Sequence, residues 1–155
     1  MRFLILLLLA NITFAEISYK LGLGSCLHQD YPAPAWASLK KESIDSFFFL
    51  GDNIYGDVPS GKLDNIKLSY KKLNTEMPEW LKKTEKLVIW DDHDYGLNDA
   101  GANYIYKVQS QQIYNDAWNI DQNDPRRSRE GIYFSELKDI QGKKVIFIGI
   151  DTRNI

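Results

Sequence analysis

The sequence has a single cysteine, Cys26, so no intramolecular disulfide can brace its fold. It has only two histidines, His28 and His93, which confines any imidazole chemistry to those two positions. Long blocks of one charge sign are missing. The 19 Lys and Arg residues offset 21 Asp and Glu for a formal net charge of −2, so nothing marks the chain for nucleic acid or for an acidic partner. There is no GxxxxGK phosphate loop, no GxSxG elbow and no HExxH pair, so the common nucleotide-hydrolase, serine-hydrolase and zinc-protease signatures are all lacking. Repeats and low-complexity segments do not occur beyond the first residues.

What is present is enough for a core. At 155 residues, 44% hydrophobic and 13% aromatic, the chain fits one compact domain or one piece of a larger one, and disorder is excluded. It opens with "MRFLILLLLANITFAE". Arg2 is a short basic start, residues 3–10 are a leucine-rich run too short to span a bilayer, and Thr13 and Ala15 are the small residues a signal peptidase reads. The expectation is a signal peptide over 1–15 with cleavage after Ala15. An uncleaved anchor or a buried first strand are the alternatives. No later run is long enough to cross a membrane, so residues 16–155 are expected to be periplasmic or secreted, without stable membrane insertion. In that oxidising setting Cys26 is either a small buried hydrophobe or a thiolate held by a metal.

One pattern recurs along the chain: an apolar, β-rich run that ends at once in a polar residue. "YKLGLGSC" ends in Cys26, "SFFFLGD" in Asp52, "KLVIWDDHD" in Asp91 to Asp94, and "KKVIFIGIDTR" in Asp151. Continuous apolar runs of this kind suit central strands buried on both faces. Helical patterns lie between them. Pro34 precedes one, with Trp36 and Leu39 on its face. Leu63, Ile66, Tyr70, Leu73 and Met77 line another, closed by Pro78. A third is expected over 103–119, burying Tyr104, Val108, Ile113 and Trp118. "GIYFSEL" reads as a further short strand. Strands alternating with helices predict a layered α/β fold, in which ligands sit beyond the carboxyl ends of the strands. Cys26, Asp52, Asp91 to Asp94 and Asp151 would all lie on that edge.

Such a cluster has the composition of a site for two metal ions, where a shared carboxylate bridges cations held by oxygen, nitrogen and sulfur. Asp52 follows a glycine that permits close approach, and it could bridge. Tyr55 could reach back as a phenolate ligand, although on spacing alone an ordinary half-buried aromatic is the favoured reading. His93 is flanked by Asp92 and Asp94, which would raise its pKa and orient it beside a phosphoryl group. His28 reads as a substrate-edge or structural residue. Arg153 is a phosphate contact or a salt bridge to Asp151, with the second favoured. A nucleophilic Cys26–His28 pair ranks low because its spacing carries little geometric information.

Four blocks then carry a resemblance: "GSC…Q…P…W" (Gly24 to Trp36), "FFLGDNIYGD" (Phe48 to Asp57), "WDDHDYGLND" (Trp90 to Asp99) and "GIYFSEL…VIFIGIDTR" (Gly131 to Arg153). In this order and spacing they resemble the PhoD-like alkaline phosphatase D family of calcineurin-like metallophosphatases. The resemblance implies an N-terminal portion of a four-layer α/β/β/α sandwich. It also implies an exported phosphomonoesterase or phosphodiesterase that uses iron and calcium and attacks small phosphate esters with a metal-bound hydroxide. Position by position, Cys26 and Tyr55 resemble ferric-iron ligands and Asp52 the bridging aspartate. Asp92 takes the place of the asparagine in the superfamily's "GNHE" block and would be a metal ligand, and His93 takes that of the histidine assisting the leaving group. Asn98 and Asp99 match a following "ND" that supports the site and borders the substrate. Relatives continue past the "DTR" block to a "GD-x-H" segment, whereas no histidine follows His93 here. A C-terminally truncated, catalytically inactive metal- or phosphate-binding fragment, or one completed by a partner, is therefore the alternative. An open apolar edge is expected on the last strand. Oligomeric state is left open.

Overall fold

A computed structural model describes residues 18–154. The leader expected over 1–15 lies outside the described residues. Among the described residues no helix is long and apolar enough to cross a membrane.

Three strands, β1 (Leu21–Gly24), β2 (Ser46–Leu50) and β3 (Glu85–Ile89), form a parallel sheet in that order. Helix α1 (Ala35–Glu42) connects β1 to β2, and α2 (Asp64–Glu76) with α3 (Glu79–Lys83) connects β2 to β3. A single turn, α4 (Asp92–Tyr95), follows β3, and α5 (Lys107–Ala117) packs against α2 and α4. Last comes an antiparallel hairpin, β4 (Phe134–Ile140) and β5 (Lys143–Gly149). Its two-residue turn places Gln141 and Gly142 at φ of 51° and 85°, the left-handed pair whose twist matches the flanking strands.

The triple phenylalanine of β2 shows how the layers are joined. Side chains alternate across a strand, so Phe47 and Phe49 face the helices while Phe48 faces the hairpin. Trp36 of α1 meets Phe47 edge-on at 5.4 Å, and Trp118 lies 4.8 Å from Phe49. On the other face Phe134 of β4 approaches Phe48 at 6.0 Å. Helix α2 buries Ile66, Tyr70 and Leu73, spaced four and three residues apart, and Met77 follows them into the core. Each such side chain contributes roughly 1.5–3 kcal/mol of transfer free energy. The result is helices, parallel sheet and hairpin in three layers, the expected α/β fold class and part of the expected sandwich.

Two expectations are corrected. The third helix spans Lys107–Ala117 rather than 103–119. Val108 is exposed, and the buried positions of α5 are Ser110, Tyr114 and Asn115. The polar ones are tolerated because they are bonded: Ser110 donates to the Tyr95 carbonyl, and Asn115 Nδ2 donates to the Arg126 carbonyl at 2.8 Å. The run 143–149 is not a strand buried on both faces. It alternates, with Phe147 turned inward near Tyr19 and Ile146 and Ile148 exposed beside Leu137. The far edge of β5 has no strand partner among the described residues.

Candidate metal centre

Three strand exits build the site. The β1–β2 ladder continues past the strands, with the Cys26 amide donating to the Gly51 carbonyl at 3.2 Å and the Leu27 amide to the Asp52 carbonyl at 2.7 Å. Gly51 lies at φ 98°, where a Cβ would meet Asp91 Cβ at 2.8 Å and Asp91 N at 2.9 Å. The absence of a side chain there lets the exits of β2 and β3 touch. Cys26 and Asp52 also adopt left-handed backbone, at φ of 56° and 51°. Left-handed non-glycine residues cost energy and concentrate where geometry serves function.

After β3 the chain turns sharply because the acidic residues cap one another. The Asp91 side chain accepts the Asp94 amide while Asp94 Oδ2 accepts the Asp91 amide at 3.1 Å, a reciprocal capping box over one helical turn. Asp91 Oδ1 also accepts the Asp92 amide at 3.0 Å. Asp94 is fully buried and also accepts the Asn53 amide at 3.0 Å and the Tyr70 hydroxyl at 3.1 Å. Burial pushes its carboxyl up, against the pull of these donated bonds. Asp94 thereby ties the loop carrying Asp52 to the turn carrying Asp92 and His93.

One ligand atom each from Asp52, Asp92 and His93 falls within 4.8 Å of the others. Cys26 Sγ lies 3.6 Å from Asp52 Oδ2, and the Tyr55 hydroxyl donates to the same oxygen at 3.2 Å. The Tyr55 and His93 rings themselves lie 4.2 Å apart. Asp52 thus meets a sulfur and a phenol through Oδ2 and has a carboxylate and an imidazole within reach. Its remaining oxygen, Oδ1, is buried with no hydrogen-bond partner. Burial raises the Asp52 carboxyl above its ordinary value, and the neighbouring Asp92 and Asp91 add to this while His93 opposes it. An orphaned, charge-crowded carboxylate oxygen is what a cation would satisfy, and the donors around it are those that hold one. The residues present fit a metal site.

The supporting contacts are specific. Asp92 is buried, which alone would raise its carboxyl, but the Asp99 amide at 2.8 Å, Arg153 and His93 outweigh burial and keep it low. His93 Nδ1 lies 2.7 Å from Asp57 Oδ1. Burial would lower the imidazole pKa, yet Asp57 first, then Asp52 and Asp92, raise it above the ordinary value. Tyr55 is driven up by burial and by its bonding to Cys26 and Asp52.

Other positions differ from the sequence reading. Arg153 is not paired with Asp151 through its side chain: the guanidinium bonds Asp91 and lies 3.9 Å from Asp92. Asp151 is no site edge but an internal tie, accepting Trp90 Nε1 and the Ile132 amide at 2.8 Å each. Asn98 is exposed and donates to Asp99 at 2.8 Å. His28 stacks on Tyr55 at 4.9 Å and 9°, and Cys26 Sγ points to Asp52, so the low-ranked Cys26–His28 pair finds no support. Asp57 is a residue of the site to which the sequence reading assigned no role. It closes the quoted "GD…GD" block, and its pairing with His93 spans 36 positions.

No protein-family model and no curated protein matches the sequence. The structure is similar to a solved structure of PhoD, with a TM-score of 0.57 and 19% sequence identity over 90% of this chain and 33% of that one. The chain thus spans about a third of the length of that PhoD chain, and over that span it has the PhoD-like fold.

Proposed function

We propose that the chain carries the metal-binding half-site of an exported, PhoD-like phosphatase or phosphodiesterase acting on small phosphate esters. The observation that carries this reading is Asp52, which meets Cys26 and Tyr55 through Oδ2, lies within 4.8 Å of ligand atoms of Asp92 and His93, and keeps Oδ1 buried and unpartnered. Cys26 and Tyr55 offer the thiolate and phenolate that suit iron, and Asp52 with Asp92 offers the carboxylates that suit calcium. Such ions would supply Lewis acidity, acidifying a water and polarising a phosphoryl oxygen.

The protein's own groups do the rest. An ionised Asp57 can only accept, so it holds a proton on His93 Nδ1 and leaves Nε2 to face the substrate. The raised pKa of His93 favours the imidazolium, in which Nε2 also carries a proton. As the oxygen of a water that has already lost one proton to solvent bonds to phosphorus and the ester P–O bond breaks, Nε2 delivers its proton to the departing oxygen. A step of this type contributes about 10²–10⁴-fold. Arg153 holds Asp91 and Asp92 in place. Asn98 and His28 form the rim that an incoming ester would meet.

The test loads the chain with iron, calcium or cobalt(II), measures bound metal, and follows hydrolysis of p-nitrophenyl phosphate and its bis-ester. Metal-dependent turnover abolished in Asp52→Ala supports the reading. Metal uptake without turnover replaces it with a binding fragment, and no uptake by the wild-type chain rejects it.

A further inference from the structure

Gln29 lies in the loop between β1 and α1, three residues after Cys26, and its side chain is buried. Its Oε1 accepts the Tyr55 amide at 2.8 Å, and its Nε2 donates to the Tyr55 carbonyl at 2.9 Å. This is the two-bond pattern one strand residue makes to another, supplied here by a side-chain amide. Tyr55 needs it, because residues 53–58 belong to no helix or strand and its peptide groups have no ladder to join. The same Nε2 reaches Ser69 Oγ of α2 at 3.2 Å. Beside Tyr55, Gly56 presses onto that helix so closely that a Cβ would lie 2.6 Å from Ser69 Oγ and 2.9 Å from the Asn65 carbonyl. His28, the neighbour of Gln29, stacks on the Tyr55 ring. One loop thus grips Tyr55 by backbone and by ring, and the phenol ends on Asp52 Oδ2.

We propose that Gln29 is a positioning residue that fixes the Tyr55 phenol against Asp52, so that Tyr55 enters the metal centre already aimed. The inference rests on the metal-centre reading for its consequence, but the positioning itself is observable without metal. The alternative is that Gln29 merely fills a polar gap beneath the loop, in which case Tyr55 would not respond to its loss.

Two measurements separate these. In the metal-free full chain with ring-labelled tyrosine, the Tyr55 NMR signal is assigned by its disappearance in Tyr55→Phe. In Gln29→Met it should move toward the position of a free tyrosine while the other tyrosine signals stay. An unmoved Tyr55 signal overturns the proposal. With cobalt(II) as probe, Gln29→Met should weaken binding about tenfold, the scale of losing a support behind a ligand. Tyr55→Phe should cost no less, and the double variant no more than Tyr55→Phe alone. Additive losses mean that Gln29 acts elsewhere and overturn it. Should Gln29→Met fail to fold, Gln29→Asn, whose amide is one methylene short of Tyr55, is read in the same way. A wild-type chain that binds no cobalt rejects the metal centre, and the NMR arm still decides on Gln29.

Discussion

Nδ1 of His93 and Oδ1 of Asp57 lie 2.7 Å apart, both half-buried, the first in the turn α4 that follows β3 and the second in the loop that follows β2. The carboxylate raises the imidazole above its ordinary value of 6.5, overcoming the opposing effect of burial. A group bound more tightly to its proton in the folded state contributes stability in full below the unfolded value and loses it as pH rises through the folded one. NMR titration of the metal-free chain should therefore find His93 titrating above 6.5, and Asp57→Asn should lower it. With only two histidines the signals are easily separated. Equal values in wild type and variant would mean that Asp57 does not set the protonation of His93.

Gly51 is the point where the β2 exit passes against Asp91, and its left-handed φ of 98° carries a second penalty for any side chain. Gly51→Ala should cost about 1–3 kcal/mol from backbone strain alone, with the close contact to Asp91 adding to it. Urea unfolding reads this as a lower midpoint. Because the same contact sets the separation of Asp52 from Asp92, cobalt(II) affinity should fall in the surviving folded protein. An alanine variant with wild-type midpoint and affinity would show that the two exits can part freely.

Asp151 stands at a strand end, as candidate ligands do, but acts as a buried fastener. Its two oxygens take the indole N–H of Trp90 and the amide of Ile132, both from fully enclosed residues, along with the amides of Arg153 and Asn154. Asp151→Ala strands the first two donors without water, at about 1–3 kcal/mol for each. Asp151→Asn keeps one acceptor oxygen and should lose less. Denaturant unfolding followed by tryptophan fluorescence ranks the variants, and an alanine variant as stable as wild type would contradict this role.

The sequence carried the strand exits clearly, because an apolar run stopped by Cys26, Asp52 or Asp92 is a local signal that needs no knowledge of the partner strand. The buried face of α2 was equally legible from the spacing of Ile66, Tyr70, Leu73 and Met77. The hairpin strand 143–149 was not. Val145, Ile146, Phe147 and Ile148 are all apolar, so inward and outward positions look alike and the alternation of a half-exposed strand is hidden. Pairings between loops were also invisible. Nothing local tells Arg153 to choose Asp91 over its neighbour Asp151, or His93 to choose Asp57, since those choices follow from which strand exits meet. Val108 misled for a related reason: hydrogen-bonded Ser110 and Asn115 hold the inner face of α5 that apolar periodicity would assign to it.

Asp52 should show opposite effects on stability with and without metal. Burial and the adjacent Asp92 and Asp91 raise its carboxyl above the ordinary 3.8, so the ionised form is disfavoured in the folded, metal-free chain. Its contribution to stability is present below the unfolded value and lost as pH rises through the folded one. At neutral pH a neutral amide of the same shape removes that burden and still offers Tyr55 an acceptor oxygen. Asp52→Asn in chelator should therefore melt at or above the wild-type temperature. A cation bound only to the folded state stabilises by about 2.7 kcal/mol at a hundred times its dissociation constant. That gain requires the carboxylate, so saturating cobalt(II) should raise the wild-type melting temperature and leave Asp52→Asn nearly unmoved, inverting their order. Calorimetry in chelator and in metal provides the comparison. A variant that melts below wild type in both conditions would assign Asp52 a structural role instead of a metal-binding one.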